Sequence, residues 1–379
     1  MNDTGKVTFY ETIMNRISKR TKGGTQMGNK ERWAVVTCLV LLGSLLGTLC
    51  YAQAPTRWKG QNAYTPPADV GPFKGSVAGS GNAPIVFSKW LNRETKGQVQ
   101  LEVAQAGAIV PVAQMFNAVS KGVLDFAGLY YGGFHSGIMP ETDIEIGLPF
   151  AWEQPEEAWD AYFNRGLIDE IRKIYAEHNI YWLPAISNTR YSFGTRFPIP
   201  NPEAIKGKKI RALGIYGEFV KRLGGSPVVV PAGEMYMGLK LGTIDGAIFG
   251  LENLENNKLK EVWTHYVFTP NLNTIMGSLL INMDSFKKLP AETRKQIDDT
   301  ARYILLETTM NNYVWDLYWS TKASKEYPFK LVYWSDQDIA KVRKIGFGLW
   351  DTVAAKSPRC AKLVEIVKTQ MRELGKMQD

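Results

Sequence analysis

The sequence predicts an α/β protein built as two lobes. Three observations carry that expectation. Apolar residues switch repeatedly between strand-like alternation and helix-like spacing, glycines stand at the joints, and the cycle runs twice, on either side of about residue 190. The chain has 379 residues, enough for two ordinary domains, and 45% hydrophobic and 12% aromatic content argues for a packed core.

The elements follow in order. Residues 55–82 are rich in Pro, Gly and Ala and read partly as loop, with a strand around 58–64. A helix is expected over 84–96, where Ile85, Phe87, Trp90 and Leu91 fall near one face and Gly97 stops it. Residues 99–103 alternate as a strand, 112–120 carry Met115, Phe116 and Val119 at helical spacing, and 124–130 read as the next strand. A short apolar run at 146–150, a helical region opened by Pro155, a helix at 168–175 and an apolar strand at 180–186 complete the first cycle. The second cycle has strands at 208–212, 228–230 and 243–249, with helices at 216–223 and 234–241 between them. Beyond it, 273–281 reads as an apolar strand and 294–320 as a long helix. Ile304, Leu305, Met310, Val314 and Leu317 suggest burial of one broad face of that helix. Ser335 to Asp338 can cap a further helix, and 360–374 a terminal one.

The N-terminal region has a different character. Residues 33–56 contain no Asp, Glu, Lys or Arg; Lys30 and Arg32 precede this stretch, and Ala52-Gln-Ala54 lies at its end. Basic, apolar, then small residues is the order of a secretory signal peptide, with a cut after Ala52 or Ala54; an uncleaved membrane anchor is the alternative. Met27 would give this leader an n-region of ordinary length. Residues 1–26 are therefore read as an extension, 27–54 as the signal peptide, 55–189 as lobe 1 and 190–272 as lobe 2. Residues 273–379 supply a strand, a long helix spanning both lobes, and C-terminal helices. Cys38 and Cys50 leave with the leader, so Cys360 stands alone and is expected to be buried and structural.

The formal charge of +8 is not gathered into a patch. Residues 1–52 hold seven Lys/Arg against three Asp/Glu, and elsewhere basic and acidic residues are interspersed, so nucleic acid is not an expected partner. His135, His178 and His265 lack metal-ligand spacing. Neither a phosphate-binding Gly-x-x-x-x-Gly-Lys loop nor a Gly-x-Ser-x-Gly elbow occurs. Glu141, Asp143 and Glu145 alternate and read as a solvated strand or loop rather than an acid/base pair. Among charged residues, Arg190 and Arg211 stand out, each near the end of an expected strand. There a guanidinium can present two parallel donors to a carboxylate in a cleft; a surface salt bridge is the alternative reading.

Several segments together carry a resemblance: Glu94-Thr-Lys-Gly-Gln-Val-Gln-Leu-Glu102, Met115-Phe-Asn-Ala-Val-Ser-Lys-Gly-Val-Leu-Asp125, Ile205-Lys-Gly-Lys-Lys-Ile-Arg211, Leu223-Gly-Gly-Ser-Pro-Val228, and the stretch from Gly233-Glu-Met-Tyr to Thr243-Ile-Asp-Gly246. Their order and spacing resemble the DctP-like solute-binding subunits of tripartite ATP-independent periplasmic (TRAP) transporters. The resemblance implies a two-lobed periplasmic binding protein fold with a hinge, no catalytic residues and no cofactor. It implies a periplasmic protein that captures a small organic acid and delivers it to TRAP membrane permease subunits. It places Arg211 at the ligand carboxylate and Arg190 at a second polar position. Trp58, Leu129-Tyr-Tyr-Gly-Gly133 and Leu148-Pro-Phe150 are similar to the branch that binds 2-oxo acids and related monocarboxylates. Tyr130, Tyr131 and Trp58 are then cleft candidates, with ordinary aromatic packing as the alternative. In one respect the chain departs from that branch. Ile248 and Phe249 stand where an acid and a Trp commonly lie near a bound cation, so a cation-bridged ligand is not expected and Glu252 is left as a weak metal candidate. The rival readings are an exported hydrolase acting on a small anion and a ligand-sensing partner of a membrane receptor.

Overall fold

A computed structural model describes residues 54–64 and 82–377. The expected extension and leader fall outside the described residues but for Ala54. Residues 55–379 make one compact unit. Ten strands are named here: β1 (Thr56–Asn62), β2 (Val99–Ala104), β3 (Phe126–Tyr130), β4 (Ile180–Thr195), β5 (Lys209–Arg211), β6 (Ser226–Val228), β7 (Gly246–Gly250), β8 (His265–Thr269), β9 (Asn273–Asn282) and β10 (Lys330–Tyr333). Their order is β2-β1-β3-β9-β4-β7-β5-β6, with the β8–β10 pair joined to β4.

That order explains the two lobes. β2, β1 and β3 pair in parallel, as do β6, β5 and β7; β4 and β9 run antiparallel to their neighbours and join the two groups. β4 is 16 residues long, about three times an ordinary strand. Its first part pairs with β9, from Ile180 opposite Asn282, and its last part with β7, to Thr195 opposite Gly246. β4 is therefore a single strand with one end in each half-sheet. β3, β7 and β9 are buried along their whole length, as strands covered on both faces should be.

Eight helices cover the sheet, joined by shorter helical turns: α1 (Ala83–Glu94), α2 (Met115–Ser120), α3 (Leu167–Ala176), α4 (Ile215–Arg222), α5 (Met235–Leu241), α6 (Ala291–Tyr318), α7 (Asp336–Ala354) and α8 (Pro358–Glu373). α7 and α8 start on serine caps: Ser335 Oγ accepts from Asp338 N at 3.2 Å and Ser357 Oγ from Cys360 N at 3.0 Å. Cys360 is buried. Among the described residues no helix is long and apolar enough to cross a membrane.

α6 is the long helix, 28 residues or about 42 Å, and it packs along β4 and α1. Because β4 serves both half-sheets, α6 braces both. The expected face is only partly right. Ile304 and Leu305 are buried, together with Ile297, Ala301, Thr308, Asn312 and Trp315, whereas Met310, Val314 and Leu317 are exposed. A second correction concerns Glu141, Asp143 and Glu145. They lie in and beside a short helical turn, Thr142–Glu145, and all three are buried. Alternation over five residues is too short to separate a strand from one turn of helix, and each carboxylate has a hydrogen-bond partner: Ser357 for Glu141, the Ile215 amide for Asp143 and Tyr175 for Glu145.

Candidate functional site

A small cavity of about 10 Å³ lies between the half-sheets. Tyr64, Tyr131 and Ile146 wall it from one side; Arg211, Leu213, Tyr216 and Phe249 from the other; Asn188, Tyr191 and Ile275 come from the joining strands β4 and β9. Tyr64 stands two residues beyond β1, Tyr131 one beyond β3, Arg211 ends β5, and Phe249 is next to last in β7. Parallel strands leave their carboxyl ends free for ligands in this way.

Arg211 is wholly buried. Its Nε donates to Val230 O at 3.2 Å, and its Nη1 makes long contacts to Ile248 O at 3.4 Å and Tyr191 Oη at 3.5 Å. Its Nη2 has no partner, and the guanidinium makes no ion pair among the described residues. Phe249 lies under it, ring centre 5.3 Å from Cζ. An arginine stays charged inside proteins, and enclosing a charge without a counterion costs several kcal/mol. Two further polar groups have no partner: Asn188 Nδ2, whose Oδ1 already accepts from Tyr131 Oη at 3.1 Å, and Tyr64 Oη, which stands beside the guanidinium without a hydrogen bond of regular geometry. Burial holds the Tyr64, Tyr191 and Tyr216 hydroxyls above the usual phenol range, with Arg211 opposing it at Tyr64 and Tyr191. These hydroxyls remain protonated donors near neutrality.

Contacts across the gap close the cavity. Ile215 N, at the start of α4, donates to Asp143 Oδ1 at 2.8 Å, and Tyr216 Oη donates to Gly147 O at 3.0 Å. Asp143 also pairs with Lys356 at 2.7 Å. Burial raises the Asp143 carboxyl, while Lys356 and the Ile215 amide oppose that rise. Backbones meet here: a Cβ on Gly133 would come within 2.9 Å of Leu213 Cβ and 3.2 Å of Gly214 N. Gly214 also has φ +50°, so both positions need glycine.

Two of the residues singled out from the sequence reach the cavity, Arg211 and Tyr131. Arg190 does not. Its Nη1 donates to Phe268 O at 2.6 Å, and its guanidinium lies 3.7 Å from the Phe268 ring centre. The cause is a register shift in β4 between Asn188 and Tyr191, which hands the cavity face to Tyr191 and turns Arg190 away. Tyr130 is buried beside the cavity wall, with His135 at 5.4 Å and Phe134 at 5.6 Å between ring centres. Trp58 is a core residue of β1, opposite Leu101. Glu252 is buried in the turn after β7; Asn253 Nδ2 donates to its Oε1 at 2.6 Å, its Oε2 has no partner, and burial with nearby Asp316 holds its carboxyl well above the usual range. Sequence reasoning missed Tyr64, Asn188, Tyr191 and Tyr216. For Tyr64 and Asn188 the strand-end rule was the available signal. Tyr191 needed the bulge, and Tyr216 the approach of the two halves.

A second buried cluster centres on Glu145, the residue before Ile146 of the cavity lining. Glu145 accepts from Tyr175 Oη at 2.5 Å, Trp182 Nε1 at 2.8 Å and Ser278 Oγ at 3.2 Å, and among the described residues no cation pairs with it. Burial pushes its carboxyl up to about 7 against those three donors. His135 Nε2 lies 3.1 Å from Tyr175 Oη, and burial, then His178, lowers its pKa to about 3, so its ring is neutral.

Residues 80–357 match the DctP family, described as bacterial extracellular solute-binding protein, family 7. A monocarboxylate 2-oxoacid-binding periplasmic protein of Nostoc sp. is 26% identical over 329 residues, 84% of this chain and 85% of that one. A solute-binding protein of Chromohalobacter salexigens is 25% identical over 285 residues, 73% of this chain and 80% of that one. Among solved structures, a TRAP transporter solute-binding protein from Bordetella bronchiseptica with calcium and picolinate superposes with a TM-score of 0.75 at 19% identity, covering 85% of this chain and 94% of its own. One from Pseudoalteromonas atlantica with sodium and pyruvate gives 0.74 at 20% identity, covering 84% and 95%.

Proposed function

Because the chain belongs to the DctP family of bacterial extracellular solute-binding proteins, we propose that it captures a small monocarboxylate between its half-sheets and hands it to a TRAP-type membrane permease from the periplasm. The observation that carries this reading is the enclosed Arg211, which lines a cavity without an anion and whose Nη2 has no partner. A ligand carboxylate supplies the missing charge and accepts from Nη2 and the Tyr64 hydroxyl. Asn188 Nδ2 is a third donor, which calls for a further oxygen on the ligand. A 2-oxo or 2-hydroxy acid meets all three. The likeness to the 2-oxoacid-binding protein of Nostoc sp. supports the same class.

A bridging cation does not fit this cavity. Its lining offers tyrosine hydroxyls and the Asn188 amide but no carboxylate, and Ile248 contributes its carbonyl to Arg211 instead of an acid side chain. The ligand is therefore held by donors alone.

Closure follows from binding. The carboxylate draws the Arg211 side toward Tyr64 and Tyr131, and the Asp143–Ile215 and Tyr216–Gly147 contacts then exclude water, which strengthens the charge contact. Isothermal titration of the purified chain with pyruvate, lactate and pyruvamide tests the reading. Heat with the two acids and none with the amide is expected. Equal binding of the amide, or no binding of either acid, overturns it. Recovery of unchanged ligand separates capture from hydrolysis, and co-purification of permease subunits separates delivery from sensing.

A further inference from the structure

The cavity between the half-sheets is smaller than pyruvate: about 10 Å³ is room for roughly one water. An acid therefore enters only where part of the wall gives way, and the part that gives decides which acid enters. Several lining side chains are tied down. Tyr131 Oη donates to Asn188 Oδ1 at 3.1 Å, Tyr216 Oη donates to Gly147 O at 3.0 Å, and Val230 O holds Arg211 at Nε. Tyr64 is not tied: it is buried, and its hydroxyl has no partner. A shift of that ring makes space for a few heavy atoms while the lobes stay shut. A larger ligand has to take its space from the gap between the lobes.

At one point that gap is closed by backbone. Gly133, in the turn after β3, faces Leu213 and Gly214, which lie between β5 and α4. A Cβ at Gly133 would stand 2.9 Å from Leu213 Cβ and 3.2 Å from Gly214 N, and a Cβ at Gly214 would stand 3.3 Å from Gly133 Cα. Ile146 Cδ1 lies 3.4 Å and 3.3 Å from those two positions. Ile146 and Leu213 both line the cavity, so this contact is part of its wall. The Asp143–Ile215 hydrogen bond, 2.8 Å long, joins the lobes one residue beyond Gly214. Backbone in contact has no rotamer to yield. Parting it by about 0.5–1 Å forfeits roughly a quarter to a half of each atomic contact and stretches the hydrogen bond beside it.

Resting on the ligand reading above, we propose that Gly133 and Gly214 set the upper size of the acid this chain accepts. A three-carbon acid leaves their contact intact, and a longer or branched one forfeits it. The two glycines act through the closing of the lobes, without touching the ligand. Their effect falls on size alone, because Arg211 reads the carboxylate that all these acids share. Gly133 is the position to test. It lies outside the left-handed region in which Gly214 sits at φ +50°, so alanine fits its backbone. The two nearest atoms an added Cβ meets belong to the other lobe, and the third, Ile146 Cδ1, is at ordinary contact distance.

Titration calorimetry of wild type and Gly133→Ala with pyruvate, 2-oxobutyrate and 4-methyl-2-oxopentanoate tests this. Wild type is expected to bind the three with falling affinity, the last at least about tenfold more weakly than pyruvate. G133A is expected to lose at least about tenfold on pyruvate and less than about twofold on 4-methyl-2-oxopentanoate, so that the preference closes. Equal losses on all three acids overturn the inference, since they give Gly133 a part in folding or closure without regard to size. A variant that binds pyruvate like the parent overturns it too. Wild type that takes the three acids alike overturns it without any variant and leaves the ligand reading standing. No heat from any of them overturns that reading, and this inference with it.

Discussion

Arg211 and Glu145 are both enclosed ionisable groups, and their surroundings differ in kind. Glu145 is met on both oxygens by Tyr175, Trp182 and Ser278. Arg211 is held at Nε by one good hydrogen bond and left open at Nη2. A satisfied buried charge rigidifies the wall; an unsatisfied one is a demand for something from outside. The fold completes the first site by itself and leaves the second short of a partner.

The largest effect should come from breaking the open site. Arg211→Ala is expected to weaken pyruvate binding by about 2–5 kcal/mol, measured by titration calorimetry. The same side chain burdens the empty protein, so Arg211→Met should raise the melting temperature of the ligand-free chain while abolishing binding. A fall in melting temperature would mean that Arg211 is as well satisfied as Glu145.

Next comes the closed site. Below its ordinary value of 4.5 the Glu145 carboxyl is protonated whether the chain is folded or not. As pH climbs from there through about 7, the unfolded chain releases the proton first, so folding stability is lost across that window, by at most roughly 3 kcal/mol. Glu145→Gln removes this slope. Urea unfolding at several pH values should show wild type losing ground to the variant between pH 5 and pH 7.5, the ends of that window being about those set by the two values. Parallel curves would show that the carboxyl titrates as an ordinary one.

Asn188→Ala keeps the Arg211 contact but removes the third donor and leaves the Tyr131 hydroxyl unpaired. A loss of about 1–3 kcal/mol for pyruvate is expected, and a smaller loss for acetate, which has no second oxygen function to place there. Equal losses for the two acids would remove Asn188 from ligand recognition. Smallest of all, Arg190→Ala should change pyruvate affinity less than about twofold, because its guanidinium is engaged with Phe268. A drop comparable to that of Arg211→Ala would show that β4 rearranges when ligand binds.

Much of the scaffold could be read from the chain. The glycine-punctuated cycles gave the two parallel half-sheets, and Arg211 was marked by standing at a strand end before Gly214. What escaped depended on non-local geometry. Residues 180–186 read as one short strand because nothing in their pattern says that β4 continues to Thr195 and serves both halves. Asn188, Arg190 and Tyr191 look alike as strand-end polar residues; a single register shift decides which of them meets the cavity. Trp58 has the composition of a ligand platform and the position of a core residue. On α6, the apolar spacing was legible, but spacing alone does not say that Ile304 and Leu305 are buried while Met310, Val314 and Leu317 stay exposed.

Asp143 receives the first amide of α4 and, at its other oxygen, the ammonium of Lys356, which belongs to the turn between α7 and α8. The C-terminal part of the chain thus holds the clasp of a compartment whose walls it does not form. On the proposed reading, a change at Lys356 bears on how long a ligand stays inside rather than on which ligand is recognised.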